Sequence, residues 1–376
     1  MRLISFHAEH YLSLHDVSLD LGPLNLFIGA NACGKSNILN ALRFLSEGLV
    51  RGDFDQPVAE RGGIIHLAWK GEEASRIVLR TRYENNARTF SWLVSLGRNQ
   101  YSFTVDEEVF EETGSGDVRL LTAKGGKGEW RSEDVGKYIP LDLPPTACAL
   151  SAAASDASFK ARGVAQFVKA WGFFDPSASQ LRRASTTVDA ERLEMSGRNL
   201  AGRLYGIEQK DPSTFSRIVS AVREVLGVPD RLQFRVSEED GRVYFVQHEA
   251  GLKFGVHQVG ASSGTLRILA LMTALFGESG HGLVGIEEPE NHIHPAALAS
   301  FAQYLQQASH TVQVFVTTHS PLLLDHLGVP EAVCVVRRQS DGTKVDRESN
   351  PEAVRSALEE SGFGLGEFHE TKGFGQ

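Results

Sequence analysis

The chain is poor in cysteine and in long apolar runs. Its 376 residues include three cysteines, Cys33, Cys148 and Cys334, which are too few and too scattered for a disulfide framework or a paired-thiol metal site. No apolar run approaches the roughly 18 residues of a membrane-spanning helix, and residues 1–7 lack the apolar core of a signal peptide. We therefore expect reduced thiols, no membrane association and a cytoplasmic location.

Positive charge is also scarce. The chain has 38 lysines and arginines against 47 aspartates and glutamates, a net charge of −9, which argues against indiscriminate coating of nucleic acid. Residues 160–210 are an exception: nine basic and five acidic residues give +4, so the rest of the chain carries −13. This local excess is compatible with a DNA or RNA surface, with a docking surface for a partner protein, or with a solvated helix face.

A glycine-rich loop is the most informative feature that is present. Residues 29–36 fit the phosphate-loop pattern G-x-x-x-x-G-K-[ST], between an apolar stretch at 24–28 and a helical pattern at 36–49. Glycines let the backbone wrap around an anion, and the following helix presents its positive N-terminus. We expect Lys35 to reach the β/γ-phosphates and Ser36 to bind Mg²⁺. The predicted ATP-binding residues here are Gly29, Asn31, Cys33, Gly34, Lys35, Ser36 and Asn37.

A second motif places paired acids at the end of a predicted strand. The apolar residues 283–286 run into Glu287 and Glu288, as in a Walker B segment. Side chains of neighbouring strand residues diverge, so Glu287 is expected to serve Mg²⁺ while Glu288 activates the attacking water. Taken alone, such a pair is more typical of an exposed turn, but its position after a phosphate loop favours the catalytic interpretation.

Two further segments follow the same order along the chain. Ser262, Ser263 and Gly264 precede the apolar run 266–276, which makes a helix N-terminus rich in small polar residues and resembles an ABC signature motif. The apolar stretch 312–316 and two threonines deliver His319, which resembles the ABC switch histidine. An ordinary helix cap and a structural histidine are the alternatives.

Together these motifs resemble the SMC/RecF/OLD-like branch of ABC-type ATPases, specifically small bacterial "AAA family ATPases". Departures are Ala32-Cys33 in place of the usual Gly-Ser pair and Glu287 where many relatives carry aspartate. The resemblance implies an α/β P-loop NTPase of ABC/SMC-head type, with a mixed central sheet, an antiparallel β-subdomain and a helical insert. Other segments that share it are 22–25, 196–200, 287–295 and 365–367.

The resemblance also implies a function. We expect an ATPase that uses ATP and Mg²⁺, with Lys35, Glu288 and His319 as catalytic residues, in a head-to-tail homodimer that serves DNA maintenance or antiphage defence. The alternative is a nucleotide-gated scaffold that hydrolyses little ATP and holds or releases an effector protein. The 57 residues after His319 are too few for the nuclease domain of OLD-like relatives, and no heptad tract predicts a long coiled coil.

Three regions are predicted from the patterning. Residues 1–146 form an N-terminal ATPase lobe with an antiparallel meander from Ile64 and a hairpin at Gly125-Gly126; residues 147–227 form the helical insert; residues 228–376 form a C-terminal lobe with a hairpin at Asp240-Gly241.

Two minor hypotheses remain. His292 and His294, two apart on an extended segment, share a face and are compatible with a zinc site. Cys33, beside Lys35 and before a helix, is either a reactive thiol or a small buried filler.

Overall fold

The computed structural model describes residues 1–70, 76–98, 102–114, 116–187, 192–277, 280 and 282–371. These form two compact units. The first contains Met1–Trp171 and Ala332–Ser349, and the second contains Gly172–Glu331 and residues 350–371. Within the described ranges, every helix is too short or too polar to cross a membrane.

The first unit contains an eight-stranded antiparallel sheet. The strands are β1 (Arg2–Tyr11), β2 (Leu14–Asp20), β4 (Ile77–Asn85), β5 (Arg88–Arg98), β6 (Phe103–Thr113), β7 (Val118–Lys124), β8 (Lys127–Arg131) and β9 (Tyr138–Asp142). They lie in the sheet in the order β2-β1-β4-β5-β6-β7-β8-β9. Alternate side chains such as Ile77, Leu79 and Tyr83 are buried, as the period of a strand requires. The predicted hairpin is confirmed: Gly125 and Gly126 join β7 to β8 with φ of 55° and 81°.

The same unit holds the glycine-rich loop. The fully buried strand β3 (Leu24–Ile28) pairs in parallel with β17 (Val333–Gln339), which pairs antiparallel with β18 (Gly342–Arg347). Helix α1 follows the loop and buries one apolar face. The helices of this unit are α1 (Lys35–Arg51), α2 (Asp55–Glu60), α3 (Ile64–Leu67), α4 (Ala149–Ala153) and α5 (Arg162–Lys169).

The second unit has two sheets. Strands β10 (Gly172–Phe174), β15 (Leu283–Glu287) and β16 (Gln313–Thr318) are parallel, in that order. The other sheet contains β11 (Ser185–Thr186), β12 (Arg231–Val236), β13 (Arg242–His248) and β14 (Val256–His257). The helices are α6 (Ala178–Leu181), α7 (Leu200–Lys210), α8 (Pro212–Leu226), α9 (Ser263–Phe276), α10 (Pro295–Ser309), α11 (Pro321–Leu327), α12 (Pro351–Ser361) and α13 (Leu365–Thr371), with 3-10 turns at Gln258–Gly260 and Pro330–Ala332.

Local signals in the sequence explain several of these boundaries. Helix α8 begins where Asp211 accepts a hydrogen bond from the Thr214 amide, has proline at its first position, and ends at Gly227 in the left-handed conformation. The predicted hairpin at Asp240-Gly241 is also confirmed, because it joins β12 to β13.

One prediction of secondary structure was wrong. The meander does not begin at Ile64, since 64–67 form helix α3 and the next strand starts at Ile77. The segment 147–227 contains the helices α4 to α8 together with two short strands, so the helical insert as a separate region stays a prediction. It contains β10, whose three residues are buried and pair with Val284–Ile286. A short apolar run of this kind has no period that separates a buried strand from a buried helix.

A buried carboxylate anchors helix α4 in the first unit. Glu108 accepts hydrogen bonds from the Ala149 amide (2.6 Å), the Leu150 amide (2.8 Å) and the Trp92 indole (3.0 Å), and the Cys148 thiol lies 3.7 Å away. Burial raises the pKa of Glu108, while these N–H donors oppose the rise. The side chain therefore joins β5, β6 and the start of α4.

We expect Glu108→Ala to lower the free energy of unfolding by roughly 1–3 kcal/mol or more, because buried N–H donors lose their acceptor. The neighbouring Glu107→Ala is the control: it removes an ion pair with Lys124 on the exposed face, at 3.6 Å, and such pairs contribute about 0–1 kcal/mol. Urea unfolding measures both variants. Equal losses in the two variants would contradict the anchoring role.

The pH dependence of Glu108 gives a second measurement on the same residue. The folded state holds the Glu108 proton more tightly than the unfolded chain, so this contribution to stability declines as pH rises from the ordinary glutamate pKa to the raised value. Glu108→Gln should lack that decline.

Candidate functional site

The phosphate loop lies between β3 and α1, as predicted. The Lys35 ammonium donates hydrogen bonds to the carbonyl oxygens of Gly29 (2.7 Å) and Ala30 (3.0 Å). An ammonium has three donors, so one is left for an anion in the loop. Ser36 and Asn31 are exposed, and Ser36 lies in the first turn of α1.

Both outer glycines of the loop are required by close approaches. A Cβ on Gly29 would lie 2.1 Å from the Val336 carbonyl oxygen, and Gly34 has a φ of 108° with the Thr343 hydroxyl 2.1 Å from a Cβ. Ala32 occupies the left-handed region at φ 61°, where glycine is easier to accommodate. The departure from the family pattern thus adds local strain.

A chain of hydroxyl groups supports the loop. The Thr343 hydroxyl donates to the Cys33 carbonyl (2.8 Å), the Ser13 hydroxyl donates to Thr343 Oγ1 (2.6 Å), and the Asn37 amide donates to Ser13 Oγ (2.7 Å). Sequence reasoning named Asn37 as an ATP-binding residue and missed Ser13 and Thr343. No local pattern could have found them, because 330 positions separate these two residues.

The Cys33 side chain faces inward. It is 3% exposed, and its sulfur packs within 2.9 Å of where a Gly29 Cβ would stand. The structure therefore favours the small buried filler over the reactive thiol, and Cys33 contributes its backbone to the loop.

A cavity of about 430 Å³ adjoins the loop in the same unit. Trp69 stacks on His15 beside it, with ring centroids 4.1 Å apart. No pattern in the sequence predicts this cavity. Its lining residues are Leu12, Ser13, Asn37, His66, Ala68, Trp69, Lys70, Arg338, Gln339, Ser340 and Gly342.

The paired acids of the second unit lie at the carboxyl ends of two parallel strands. Glu287 is the last residue of β15 and stands opposite Thr317 of β16. The Glu288 amide donates to the Thr317 carbonyl (2.9 Å), and Glu288 has a φ of 42°, which is rare for a non-glycine residue. Such a strained residue commonly marks a functional position.

Glu288, Glu290 and His319 form a cluster. The Nδ1 atom of His319 lies 3.7 Å from Glu288 Oε1 and 3.4 Å from Glu290 Oε1. Glu290 Oε1 also accepts from the Thr318 hydroxyl (2.6 Å) and the His319 amide (3.0 Å). The structure thus brings together the predicted Glu288 and His319 and adds Glu290, whose role sequence reasoning missed.

Two side-chain oxygen atoms in this region are buried without a hydrogen-bond partner in the described part of the chain: Glu290 Oε2 and Thr317 Oγ1. Oxygen atoms of this kind suit water and Mg²⁺. The predicted magnesium ligands, Ser36 and Glu287, belong to different units, so their pairing stays a prediction. The hypothesis of a zinc site at His292 and His294 finds no support. His294 caps α10, and no three His, Cys, Asp or Glu side chains of the described residues are arranged to hold a metal ion.

The signature residues form the start of α9. The exposed Ser262 is the N-cap, and its hydroxyl accepts from the Thr265 amide at 3.0 Å. A Cβ on Gly264 would lie 2.8 Å from the His292 carbonyl oxygen, so glycine allows this close approach. Arg182 fixes the preceding loop by donating to Val259 O, Ala261 O and Ser263 Oγ, each at 3.1 Å.

Arg267 connects α9 to the paired acids. Its guanidinium, 4% exposed, donates to the carbonyl oxygens of Glu287 (3.0 Å), Glu288 (2.8 Å) and Pro176. Burial lowers the pKa of Arg267, and Asp175, 3.7 Å away, opposes this shift. Sequence reasoning missed this contact, which crosses 20 residues.

The basic excess of 160–210 is not one continuous charged face. Lys160 pairs with Glu112, Arg198 pairs with Glu194, and Arg203 donates to the Gly277 carbonyl. The acids Asp189 and Glu191 lie outside the described residues.

All three cysteines are buried, so we expect iodoacetamide to leave them unmodified in the native protein. Over the same time, all three should be modified in the unfolded chain. Mass spectrometry after timed alkylation, with Cys33→Ser as the control, identifies the modified positions. Rapid modification of native Cys33 would restore the reactive-thiol hypothesis.

Comparison with known proteins identifies a family and a fold. A family described as "AAA domain, putative AbiEii toxin, Type IV TA system" matches residues 24–325. An SMC head solved with the C-winged helix domain of ScpA is 13% identical, with a TM-score of 0.58 over 94% of this chain and 100% of that chain. An SMC head with an extended coiled coil, bound to the C-terminal domain of ScpA from Pyrococcus furiosus, is 12% identical, with a TM-score of 0.55 over 96% and 100%. A search of curated proteins finds no match.

At such identities the structural likeness shows the fold alone, and it confirms the predicted class of P-loop NTPase. The family match covers most of the chain. The chain therefore belongs to the AAA-domain family of that description, and its fold is that of an SMC/RecF-like, ABC-type ATPase head.

Proposed function

We propose that the protein hydrolyses ATP to ADP and phosphate as a head-to-tail homodimer. The observation that carries the proposal is the cluster of Glu288, Glu290 and His319 at the ends of β15 and β16, in a chain that also has a well-formed phosphate loop. Carboxylates and a histidine at one sheet edge suit proton transfer from a water molecule.

In this proposal the loop amides and Lys35 hold the triphosphate. Glu288 takes the proton of the attacking water, the water oxygen bonds to the γ-phosphorus, and the bond to the ADP oxygen breaks. Glu290 orients the His319 ring through Nδ1, so that Nε2 is directed to the transferring phosphoryl group. Ser36 and Glu287 would hold Mg²⁺, which would offset the negative charge of the triphosphate.

The signature residues are proposed to act on the nucleotide of the partner subunit. Ser262 is exposed at the first turn of a 14-residue helix, where amides and the helix dipole favour an anion. Each composite site then contains the phosphate loop of one protomer and the signature of the other. The cavity beside Trp69 is proposed to receive the adenine ring, because it adjoins the phosphate loop and offers aromatic and amide side chains.

We further propose a role in antiphage defence or DNA maintenance, with an effector protein as the partner. The family description, which names a toxin of a toxin–antitoxin system, supports the defence setting. The solved SMC heads are bound to domains of ScpA, which supports a protein partner by analogy of fold.

Glu288→Gln tests the assignment of the base. The amide keeps the size and hydrogen bonding of Glu288 but cannot accept a proton, so turnover should fall by about 10² to 10⁴ while ATP binding persists. Phosphate release measures turnover, and calorimetry measures binding. Glu287→Gln is the matched control for the neighbouring acid. Loss of turnover in Glu287→Gln alone would reverse the assignment.

The same experiment separates the enzyme from the nucleotide-gated scaffold. A scaffold predicts no measurable difference between wild-type and Glu288→Gln turnover, because both would be close to the background rate. Binding of ATP by both proteins, without turnover in either, would support the scaffold and overturn the proposal of hydrolysis.

Ser262→Asp tests the composite site. Aspartate is a good N-cap and preserves the hydrogen bond from Thr265, but it adds negative charge where the partner's γ-phosphate should bind. ATP-dependent dimerisation and turnover should be lost. Ser262→Asn, which caps without charge, is the matched control and should retain dimerisation. A Gly264 variant is less suitable, because any Cβ meets the His292 carbonyl.

Mixing Ser262→Asp with Lys35→Ala should restore activity. Half of the dimers in an equal mixture are mixed, and each has one intact site, so turnover should recover to roughly a quarter of wild type if the sites act independently. Absence of both turnover and ATP-dependent pairing in the mixture, with both variants folded, would exclude the head-to-tail dimer.

A further inference from the structure

A second cavity, of about 400 Å³, lies in the second unit and is lined by arginine and hydroxyl side chains. Three arginines, Arg183, Arg198 and Arg242, line it, and no carboxylate is among the described residues that do so. The other lining residues are Ala184, Ser185, Thr186 and Asn199. Neither the signature nor the paired acids contribute to it.

The fold brings these arginines together from three separate segments. Thr186 of β11 stands opposite Arg242 of β13 in the antiparallel register. The fully buried Gln258 amide donates to the Arg183 carbonyl at 2.9 Å and so fixes its backbone. A hydrogen bond from a buried side chain therefore holds the backbone at Arg183.

The turn that carries Arg198 is held in the same way. Asn199, 2% exposed, donates from its amide to the Arg192 carbonyl at 2.7 Å and accepts from the Glu194 amide at 2.9 Å. The Ser185 hydroxyl accepts from the Gly202 amide at 2.7 Å, which joins the start of α7 to β11. Hydrogen bonds with buried side chains thus fix the backbone of the segments that carry Arg183 and Arg198.

Carboxylates pair with two of the three arginines that line the cavity. Glu194 binds Arg198 through two hydrogen bonds, of 3.0 and 3.1 Å, and Asp240 lies 3.3 Å from Arg242. Arg183 is exposed and forms no ion pair with any described residue. Guanidiniums that converge repel one another, and an anion between them would relieve that repulsion.

The lining also indicates the class of anion. Planar guanidiniums bind phosphate oxygens in pairs, and serine and threonine hydroxyls commonly join them. The described lining has no aromatic ring on which a base could stack, so recognition rests on phosphate alone. We propose that this cavity binds a phosphate group, from either a nucleic-acid backbone or a free phosphate ion.

Arg183→Gln tests the site, with Arg235→Gln as the matched control. Arg235 is an exposed arginine on β12 of the same sheet, so its loss changes net charge equally without altering the cavity lining. The two probes are a labelled single-stranded thymidine oligonucleotide, followed by fluorescence anisotropy at several salt concentrations, and inorganic phosphate, followed by calorimetry. The phosphate measurements use proteins that also carry Lys35→Ala, so that the phosphate loop contributes little to the measured binding.

We expect Arg183→Gln to weaken binding of one probe by about tenfold and Arg235→Gln to leave it nearly unchanged. If the source is a nucleic-acid backbone, the oligonucleotide responds and its salt slope falls by about 1. If the source is free phosphate, inorganic phosphate responds and the oligonucleotide does not.

Absence of binding of both probes, or equal effects of the two substitutions, would overturn the proposal. Because neither readout involves ATP turnover, this result is independent of the proposed hydrolysis. Thermal unfolding of Arg183→Gln verifies that the exposed substitution leaves the fold intact.

Discussion

The hydrogen bonds of the Arg267 guanidinium are the interaction on which the proposed chemistry of the second unit depends. A buried positive charge is costly unless its donors are satisfied, and here backbone carbonyls of Pro176, Glu287 and Glu288 accept from the two terminal nitrogens of Arg267, while its Nε has no partner among the described residues. The same contacts hold the strained Glu288 to the second turn of α9. A small shift of that helix would therefore move the candidate base, and the close approach of Gly264 to His292 strengthens this connection.

In the first unit, the phosphate loop is held by one charged group and by neutral groups. The Lys35 ammonium donates to the Gly29 and Ala30 carbonyls, and a hydroxyl chain runs from Thr343 through Ser13 to Asn37. Such a loop presents amides to an anion without large rearrangement, which is the electrostatic preorganisation that phosphoryl transfer requires. In both units, residues without a proposed chemical role position residues that have one.

The sequence predicted the parts of the site that are local in the chain. The phosphate loop, the paired acids and the signature each need a fixed spacing within one strand, loop and helix, and that spacing is visible in sequence. Glu290, Thr343 and Arg267 escaped prediction because their partners are brought near only by tertiary structure. The inward position of Cys33 likewise follows from packing against Gly29, which a linear pattern does not encode.

Segments without a distinct period were equally hard to predict. The strand Gly172–Phe174 is three residues long and buried, so neither alternation nor helical spacing was available. By contrast, the hairpins at Gly125-Gly126 and Asp240-Gly241 were predictable, since turn residues adopt the positive φ that these connections need. Segments whose backbone conformation demands particular residues were therefore predictable, and segments without such a demand were not.

The long separation between Ser13 and Thr343 has a consequence for biosynthesis. A chain growing on the ribosome presents its phosphate loop early, but the hydroxyl that supports the Cys33 carbonyl is added only after some 300 further residues. Until then the loop lacks its backing, and strand β3 lacks its parallel neighbour β17. Nascent chains are therefore expected to acquire a competent nucleotide loop late, after most of the protein has emerged, as is typical of folds rich in nonlocal contacts.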